Sequence, residues 1–380
     1  MCASKTDLEL YIHIPFCIKK CNYCDFLSFP SNEERREIYV QSLINEIEQT
    51  GKLLDKDAYA VRSIFIGGGT PSLLSGKQIE RIMLAVRNAF FIMEEAEITM
   101  ETNPGTLTKE NVFSYKKAGV NRFSMGLQSA DDACLHLLGR IHTWEEFLKN
   151  YELARKAGFE SIKIDLMSGL PGQTMSIYKK TLEKVMALRP EHISAYSLIV
   201  EEGTPFRERD LKLPDEDTEY RMYEDTAAIL GEYGFHQYEI SNYAKKGLEC
   251  RHNKGYWQRT DYLGLGLGAS SLIDHIRFSN TDNMEEYIKN SRQPEKIRCD
   301  MERLSEADEM AEFMFLGLRM TEGVSMDVFE KYFGKKMESI YGDVLKKHLS
   351  IGMLEKKESR IYLTRKGIHV SNGVMADFLL

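Results

Sequence analysis

Three cysteines lie close together near the start of the chain, in the segment YIHIPFCIKKCNYCDF (residues 11–26). Cys17, Cys21 and Cys24 form a C-x3-C-x2-C array. Thiolate sulfur is a ligand that zinc, copper(I) and iron–sulfur clusters favour, so the array predicts a metal centre. The apolar run 8–14 before it is typical of a strand, and Pro15 ends that run because proline cannot donate a hydrogen bond to a sheet. The thiols are therefore predicted to lie in a loop directly after a strand.

The number of thiolates separates the possible metal centres. A structural zinc site needs four ligands, whereas this loop offers three and has Phe26 where a fourth could follow. His13 lies inside the predicted strand and need not face the loop. A disulfide would use two thiols and leave one over. A [4Fe-4S] cluster with one iron free of protein ligands fits three thiolates best, while zinc and redox-active thiols stay open as alternatives.

The cysteine array, with the aromatic Tyr23 before its last cysteine, resembles that of the radical S-adenosylmethionine (SAM) superfamily. The longer string YIHIPFC is similar to one branch, the oxygen-independent coproporphyrinogen III oxidases and their relatives. Those oxidases carry a further cysteine two positions after the third ligand, where this chain has Phe26. In this respect the chain is similar to the HemW branch, whose members are regarded as heme chaperones. The resemblance implies three cofactors: a [4Fe-4S] cluster, SAM and heme.

Composition and charge describe an ordinary globular protein. The 380 residues are 43% hydrophobic and 28% charged, and the net charge of −8 argues against a general nucleic-acid binder. No stretch approaches 18 unbroken apolar residues, and the first twenty residues contain no apolar signal core, so we expect a soluble cytoplasmic protein without a transmembrane segment. The remaining cysteines are scattered and are expected to be reduced thiols: Cys2, Cys134, Cys250 and Cys299.

Short β-rich runs alternate with amphipathic helical patterns up to about residue 200. This alternation predicts parallel strands with right-handed crossovers. The predicted strands are Leu8–Ile14, Ser63–Ile66, Glu97–Met100, Arg122–Met125, Ser161–Leu166 and His192–Leu198. Six strands are too few for a closed eight-stranded barrel. The predicted fold class is therefore α/β, with a partial (β/α)6 radical SAM barrel (1–205), a small α+β region (206–298) and a C-terminal winged-helix-like domain (299–380).

Polar and glycine-rich segments follow the predicted strands, where such folds place their chemistry. The run GGGTP after the second strand would let a backbone approach a ligand, although a tight turn explains it equally well. Turn formation or helix capping also remains open for each polar residue taken alone. Together they fit a zwitterionic amino acid joined to a ribose. The resemblance implies SAM contacts at Tyr11, Tyr23, Gly68, Gly69, Thr70, Glu101, Gln128, Arg140 and Asp165, and a backbone contact at Ile199.

The segment HNKGYW (residues 252–257) is similar to a string that marks the HemW branch. A porphyrin would find aromatic faces here, and His252 could be an axial ligand of heme iron. An equally acceptable alternative makes Tyr256 and Trp257 core residues and His252 a hydrogen-bonded polar residue. The nearby alternation of glycine and leucine in residues 262–269 predicts a strand whose glycine face meets another backbone or a flat ligand.

The last eighty residues have the pattern of a winged helix. Three helical stretches (305–320, 326–333 and 337–349) precede a hairpin-like pair of strands, and Thr364 is predicted to cap a final helix that runs to Leu379. This region is not markedly basic. A lid or docking role is therefore favoured over DNA binding.

Four functions follow from these observations. The leading hypothesis is a heme chaperone that binds heme and transfers it to client heme proteins, with transient docking to membrane-bound clients. An oxygen-independent coproporphyrinogen III oxidase is the main alternative, and Phe26 separates the two. A radical SAM enzyme acting on heme itself and a winged-helix DNA-binding regulator are the others. We assign no catalytic side chain at this stage, and whether the chain is an enzyme stays open.

Overall fold

The structure, a computed structural model, describes residues 5–380, so the predicted reduced thiol at Cys2 lies outside the described residues. Six parallel strands form its centre and follow one another across the sheet in chain order. All six strands predicted from the sequence are present. They are β1 (Thr6–Ile14), β2 (Tyr59–Gly68), β3 (Ile92–Thr102), β4 (Arg122–Gln128), β5 (Ser161–Ser168) and β6 (His192–Ser197).

Six helices connect these strands. Each begins after an Asn, Ser, Thr or Asp whose side chain accepts a backbone N–H of the first helical turn, the usual N-terminal cap. They are α1 (Glu33–Leu53), α2 (Gly76–Ala89), α3 (Lys109–Lys117), α4 (Asp132–Leu137), α5 (Trp144–Lys156) and α6 (Met175–Met186), with a 3-10 turn at Pro71–Leu73.

Side chains alternate between the two faces of the sheet. In β1, Leu10, Ile12 and Ile14 are fully buried in the main hydrophobic core. The intervening Tyr11 and His13 take the opposite face, where the Tyr11 hydroxyl bonds to His13 Nδ1 at 2.9 Å. Because successive residues of a strand point to opposite faces, the apolar face packs on the helices and leaves polar side chains inside the barrel.

Residues 206–298 extend this sheet at both ends. β7 (His236–Glu239) and β8 (Asn242–Ala244) add antiparallel to β6, whereas β9 (Asp261–Leu265) adds parallel to β1. β10 (Ser270–Ile273), β11 (Ile276–Asn280) and β12 (Arg298–Arg303) continue from β9. The helices here are α7 (Glu216–Glu232), α8 (Arg251–Trp257) and α9 (Met284–Asn290), with a 3-10 turn at Pro294–Lys296. Within residues 5–380 the sheet has twelve strands and ends at β12 and β7, while the predicted domain boundaries stay predictions.

The glycine in the middle of β9 meets another backbone. A Cβ on Gly264 would lie 2.3 Å from the carbonyl oxygen of Ser270. Of the two reasons predicted for the alternating glycines, close backbone approach therefore applies at this position.

The C-terminal region contains the predicted helices and hairpin. It comprises α10 (Glu306–Gly317), β13 (Val324–Ser325), α11 (Met326–Phe333), α12 (Met337–Ser350), β14 (Leu354–Lys357), β15 (Arg360–Leu363), α13 (Arg365–His369) and α14 (Ser371–Ala376). No helix among residues 5–380 is both long and apolar enough to cross a bilayer.

The prediction of one final helix up to Leu379 is wrong. Thr364 does cap α13 by accepting the N–H of Gly367, but the backbone leaves helical geometry at Val370. A Cβ on Gly367 would lie 2.0 Å from the carbonyl oxygen of Met353, so α13 is pressed against the segment that leads into β14. The turn at Val370 then lets Phe378 reach the hydrophobic core of this region.

A buried carboxylate ties α1 to the β9 side of the sheet. Glu46 is only 2% exposed and accepts the backbone N–H of Gly266 at 2.8 Å, Nδ2 of Asn280 at 2.6 Å and the hydroxyl of Tyr287 at 2.5 Å. Burial raises the pKa of Glu46. The Gly266 N–H and the Tyr287 hydroxyl depend on this one side chain for their hydrogen bonds, whereas Asn280 Nδ2 also donates to the Gly266 carbonyl oxygen at 2.9 Å.

Replacing this carboxylate should destabilise the fold. We expect Glu46→Ala to lower the free energy of unfolding by about 3 kcal/mol or more, because three buried donors lose an acceptor. Urea denaturation followed by circular dichroism measures this. Glu48→Ala, an exposed glutamate two residues away on the same helix, is the matched control and should change stability by about 0.5 kcal/mol or less. Equal stability of the two variants would contradict the anchoring role.

Candidate functional site

The three cysteines lie in the loop that leaves β1. Main-chain hydrogen bonds close the stem of this loop: the Cys17 N–H donates to the Phe29 carbonyl at 3.1 Å, and the Phe29 N–H donates to the Pro15 carbonyl at 2.9 Å. All three cysteines are partly exposed, and all three border one cleft. The loop is therefore held at its base and presents its thiols to a common space.

The cleft lies at the carboxyl ends of the parallel strands and encloses about 400 Å³. This is the edge where such folds bind ligands. The structure brings most of the predicted SAM-contacting residues to this cleft; those that line it are Tyr23, Gly68, Gly69, Glu101, Gln128, Arg140, Asp165 and Ile199. Thr70 joins them from beside the cysteine loop, where its hydroxyl lies 3.5 Å from Cys17 Sγ. Tyr11 stands inside the barrel and stacks on Phe65.

The glycines after β2 fit tightly against the cysteine loop. The Gly69 N–H donates to the Ile14 carbonyl at 2.8 Å, and the Thr70 N–H donates to the Phe16 carbonyl at 2.7 Å. A Cβ on Gly69 would lie 2.7 Å from the Phe16 carbonyl oxygen. Gly68 has φ +109°, a conformation that favours glycine. Gly69 is thus required for the two loops to pack together, and Gly68 for the backbone conformation that leads to it.

The pKa of Glu101, in the lining of the cleft, is shifted into the neutral range. Removal from water raises its pKa to about 7, the nearby Lys163 opposes this rise, and Asp165 adds to it. One of its oxygens, Oε2, accepts the Gly68 N–H at 2.9 Å. A carboxyl group that ionises near neutral pH suits the binding of an ammonium or a ribose hydroxyl.

Three residues of the site were missed from the sequence: Lys163, Asn103 and Tyr196. Lys163 Nζ lies 2.9 Å from Asp165 Oδ1, and Ser124 Oγ donates to Asp165 Oδ2 at 2.9 Å. Lys163 and Asp165 are two residues apart in β5 and share a face, so the period of the strand could have revealed the pair. Asn103 directly follows the third strand, where the sequence predicts polar residues that face a ligand, whereas nothing in the local sequence distinguishes Tyr196 from an ordinary polar residue.

Gln128 ends β4 in an unusual conformation. Its φ of +73° is rare for a residue other than glycine, and a register shift precedes it in the pairing with β5. The hydroxyl of Tyr196 donates to Gln128 Oε1 at 3.1 Å. Strained backbone of this kind persists where the surroundings enforce it, and it occurs frequently at binding sites.

Arg140 has one nitrogen without a partner. Its Nη1 lies 3.5 Å from Cys21 Sγ, and its Nη2 donates to the carbonyl oxygen of Gly126 at 2.7 Å and to Asn103 Oδ1. The third nitrogen, Nε, is buried and has no hydrogen-bond partner. A buried guanidinium N–H that lacks an acceptor fits the expectation that Arg140 binds a ligand carboxylate.

The structure does not bring His252 to the cleft. His252 is 1% exposed in α8 near the amino ends of the strands, where its Nδ1 bonds to Ser63 Oγ at 2.8 Å and its Nε2 to the Tyr256 hydroxyl at 3.2 Å. Burial lowers the pKa of His252 to about 3, so the ring is neutral. With both nitrogens engaged, His252 is a hydrogen-bonded core residue in this conformation, and the axial-ligand prediction finds no support in its position.

The number of thiols bears on the kind of metal centre. Three cysteines border the cleft. A structural zinc site needs four ligands, whereas three thiolates can hold a [4Fe-4S] cluster with one iron left open.

Comparison with known proteins identifies the superfamily to which this fold belongs. Residues 11–185 match the model of the Radical SAM superfamily, and residues 304–370 match the HemN C-terminal domain. The E. coli coproporphyrinogen III oxidase HemN has the same fold, with a TM-score of 0.87 and 23% identity over 99% of this chain and 90% of that one. The fold, the cysteine loop and the cleft define a radical SAM protein.

Similarity to curated proteins identifies one family within the radical SAM superfamily. The heme chaperone HemW of Lactococcus lactis is 38% identical over 97% of this chain and 97% of its own, and that of Escherichia coli is 37% identical over 98% of each. The chain belongs to the HemW family. The superfamily's [4Fe-4S] cluster and SAM fit the cleft, since three thiols, the side chain of Arg140 and the carboxyl group of Glu101 border it. The roles of individual residues remain predictions.

Each cluster cysteine should be essential for iron binding. We expect Cys17→Ala, Cys21→Ala and Cys24→Ala each to lose the cluster on anaerobic reconstitution, because two thiolates hold only two of the irons. Iron and sulfide analysis with absorption spectroscopy measures the loss. Cys299→Ala, which replaces a partly exposed cysteine of β12, is the control and should load fully. A complete cluster in any of the three variants would refute the ligand assignment.

SAM affinity should rise with pH through the pKa of Glu101. Below about pH 7 this carboxyl is protonated and cannot pair with an ammonium group, so we expect roughly tenfold tighter binding at pH 8 than at pH 6. Anaerobic calorimetry of the cluster-loaded protein measures the dissociation constant. Glu101→Gln should bind weakly with little pH dependence, while Glu95→Gln, an exposed change on the same strand, should behave as the parent. An unchanged pH profile in Glu101→Gln contradicts the assignment.

Proposed function

We propose that this chain is a heme chaperone on a radical SAM scaffold, which binds heme and passes it to client heme proteins. The observation that carries the proposal is the similarity to curated heme chaperones over nearly the whole chain. It extends through the cysteine loop, the cleft and the C-terminal region. A protein that shares only the barrel would not match in this way.

The mouth of the cleft offers a surface for a flat, anionic macrocycle. Phe26 and Ile199 are 63% and 68% exposed, and both border the cleft. Lys19 and Lys20, also exposed, lie on the same rim. Exposed apolar side chains gain free energy when a porphyrin face covers them, and ammonium groups pair with its carboxylates. We place the heme at this rim.

The cluster and SAM serve the chaperone by controlling heme uptake or release. When bound, the cluster supplies an open iron on which SAM can dock. The chain's own groups orient the nucleotide: Glu101 for the ammonium or ribose, Arg140 for the carboxylate, and Gln128 for a hydroxyl. Because the rim and the SAM-binding wall belong to the same cleft, an occupied SAM site changes the surface that a heme meets.

An oxygen-independent coproporphyrinogen III oxidase is the second candidate. The HemN structure favours it only at the level of fold, since the identity is 23%. Phe26 stands where the oxidases have a further cysteine. Its exposed ring at the cleft mouth suits contact with a porphyrin better than coordination of a metal. A radical SAM enzyme that acts on another porphyrin is a third candidate. The turnover experiment also detects the products of such an enzyme.

The proposal also states where the chain acts and which proteins it contacts. We expect the chain to act in the cytoplasm and to dock transiently on client heme proteins, including membrane-bound ones. The C-terminal region suits a docking role, because Val328 and Tyr332 of α11 are exposed apolar side chains there. Its charge is mixed rather than basic, which disfavours a DNA-binding regulator.

Heme binding without porphyrin turnover tests the proposed function. The cluster-loaded full chain is incubated anaerobically with SAM, a low-potential reductant and either heme or coproporphyrinogen III. We expect a heme complex by absorption spectroscopy, heme transfer to an added apo-hemoprotein, and no protoporphyrinogen IX or ring-opened product by liquid chromatography. Product formation above the level of a Cys17→Ala sample overturns the chaperone assignment.

Truncation of the exposed ring should weaken the heme complex. We expect Phe26→Ala to lose roughly tenfold or more in heme affinity, because a ring of this size contributes about 1.5–3 kcal/mol when it is covered. Phe113→Ala is the matched control: this phenylalanine of α3 is 47% exposed and is not part of the cleft lining. Equal heme affinity in both variants would place the heme elsewhere on the molecule.

A further inference from the structure

A chain of hydrogen bonds joins two of the three cluster cysteines through the side chain of Asn103. Arg140 donates to Cys21 Sγ at 3.5 Å and also to Asn103 Oδ1. Asn103 Nδ2 donates to Thr70 Oγ1 at 2.9 Å, and Thr70 Oγ1 lies 3.5 Å from Cys17 Sγ. We refer to these three residues, Arg140, Asn103 and Thr70, as the sulfur arc.

Arg140 is the charged end of the sulfur arc, and its guanidinium determines which atom donates in each hydrogen bond of the arc. A guanidinium can only donate, so Asn103 must turn its oxygen towards Arg140. The amide nitrogen of Asn103 then faces Thr70 and donates to its hydroxyl oxygen. Because that oxygen already accepts a hydrogen bond, the hydroxyl proton of Thr70 is directed to the remaining acceptor, Cys17 Sγ. The amide thus orients two donors, one towards each sulfur.

The surroundings hold Asn103 in this orientation. Its backbone N–H donates to Ser72 Oγ at 3.1 Å, and its carbonyl accepts the Thr106 hydroxyl at 2.6 Å. A Cβ on Gly126 would lie 3.2 Å from Asn103 Oδ1 and 3.3 Å from Arg140 Nη2, so a glycine leaves room for the arc to pass. Asn103 is therefore held by the 3-10 turn after β2 and by its own loop after β3, and Gly126 of β4 leaves room for its side chain.

We propose that Asn103 is a positioning residue that sets the reduction potential of the cluster by orienting Thr70 and Arg140 towards Cys17 and Cys21. Reduction adds negative charge to the cluster, and the ligand sulfurs carry part of it. Hydrogen bonds to those sulfurs stabilise the reduced form and make the potential less negative. The same arc engages ligands of two different irons, so one amide acts on both. This role does not depend on heme.

A redox titration of the reconstituted, full-length protein tests the arc. Electron paramagnetic resonance follows the reduced cluster at poised potentials, without SAM, so that loss of nucleotide contacts cannot contribute. In Thr70→Val, we expect the ratio of reduced to oxidised cluster at the parent midpoint to fall roughly threefold to tenfold, about 30 to 60 mV for a one-electron couple. Thr70→Ser keeps the hydroxyl and should retain the parent midpoint.

Asn103→Leu should also move the midpoint to more negative values, because neither donor is then oriented. The double variant distinguishes action through Thr70 from a separate effect. If Asn103 acts through Thr70, adding Thr70→Val to Asn103→Leu changes the midpoint less than Thr70→Val does alone. Fully additive shifts, or parent midpoints in both single variants, overturn the proposal.

One further variant and an analysis of cluster content keep the experiment decisive. Thr99→Val replaces a buried threonine of β3, the strand that leads to Asn103; its hydroxyl accepts a hydrogen bond from Arg122, and the change should leave the midpoint unchanged. Iron and sulfide analysis confirms that each variant carries a full cluster. Should Asn103→Leu fail to load, the Thr70→Val and Thr70→Ser pair decides: equal midpoints for Val and Ser reject the arc, and a shift only in Val supports it.

Discussion

The site depends on main-chain hydrogen bonds between two loops, the cysteine loop after β1 and the glycine loop after β2. Gly69 and Thr70 donate their N–H groups to the carbonyls of Ile14 and Phe16, at 2.8 and 2.7 Å. A side chain on Gly69 would prevent this contact. Because the thiols stand on one of these loops and Gly68 and Gly69 of the cleft lining stand on the other, this pairing holds the three thiols against one wall of the cleft.

Charge inside the cleft is balanced by a small number of groups. Lys163 offsets the two carboxylates Glu101 and Asp165, and the Arg140 guanidinium lies beside Cys21. Burying charges without partners would be costly, so each is paired or faces the cleft. The groups left incompletely satisfied are Glu101, which ionises near neutral pH, and Arg140, whose Nε has no acceptor. They are the groups that a zwitterionic ligand would complete.

The opposite end of the barrel explains the HNKGYW segment without heme. The carboxylate of Glu97 accepts the backbone N–H groups of Arg251 and His252, and so caps α8 against the amino ends of the strands. His252 stacks on Phe65, and Arg319 lies over the Trp257 ring at 4.3 Å. Helix α8 thus closes the floor of the barrel and contacts the C-terminal region. A sequence motif that is characteristic of a family can therefore serve the fold as well as the binding of a ligand.

The sequence alone determined the local features: six strands, their capped helices, a three-thiolate loop and the order of polar residues along the chain. The period of a strand, the cap of a helix and the chemistry of ligand side chains depend on residues that are close in sequence. They can therefore be recognised without knowledge of the tertiary contacts. Only the tertiary structure decided that β7–β12 extend the barrel sheet at both ends, that His252 is buried far from the cleft, and that Asn103 joins Thr70 to Arg140. These depend on contacts between residues distant in sequence, which no local pattern encodes.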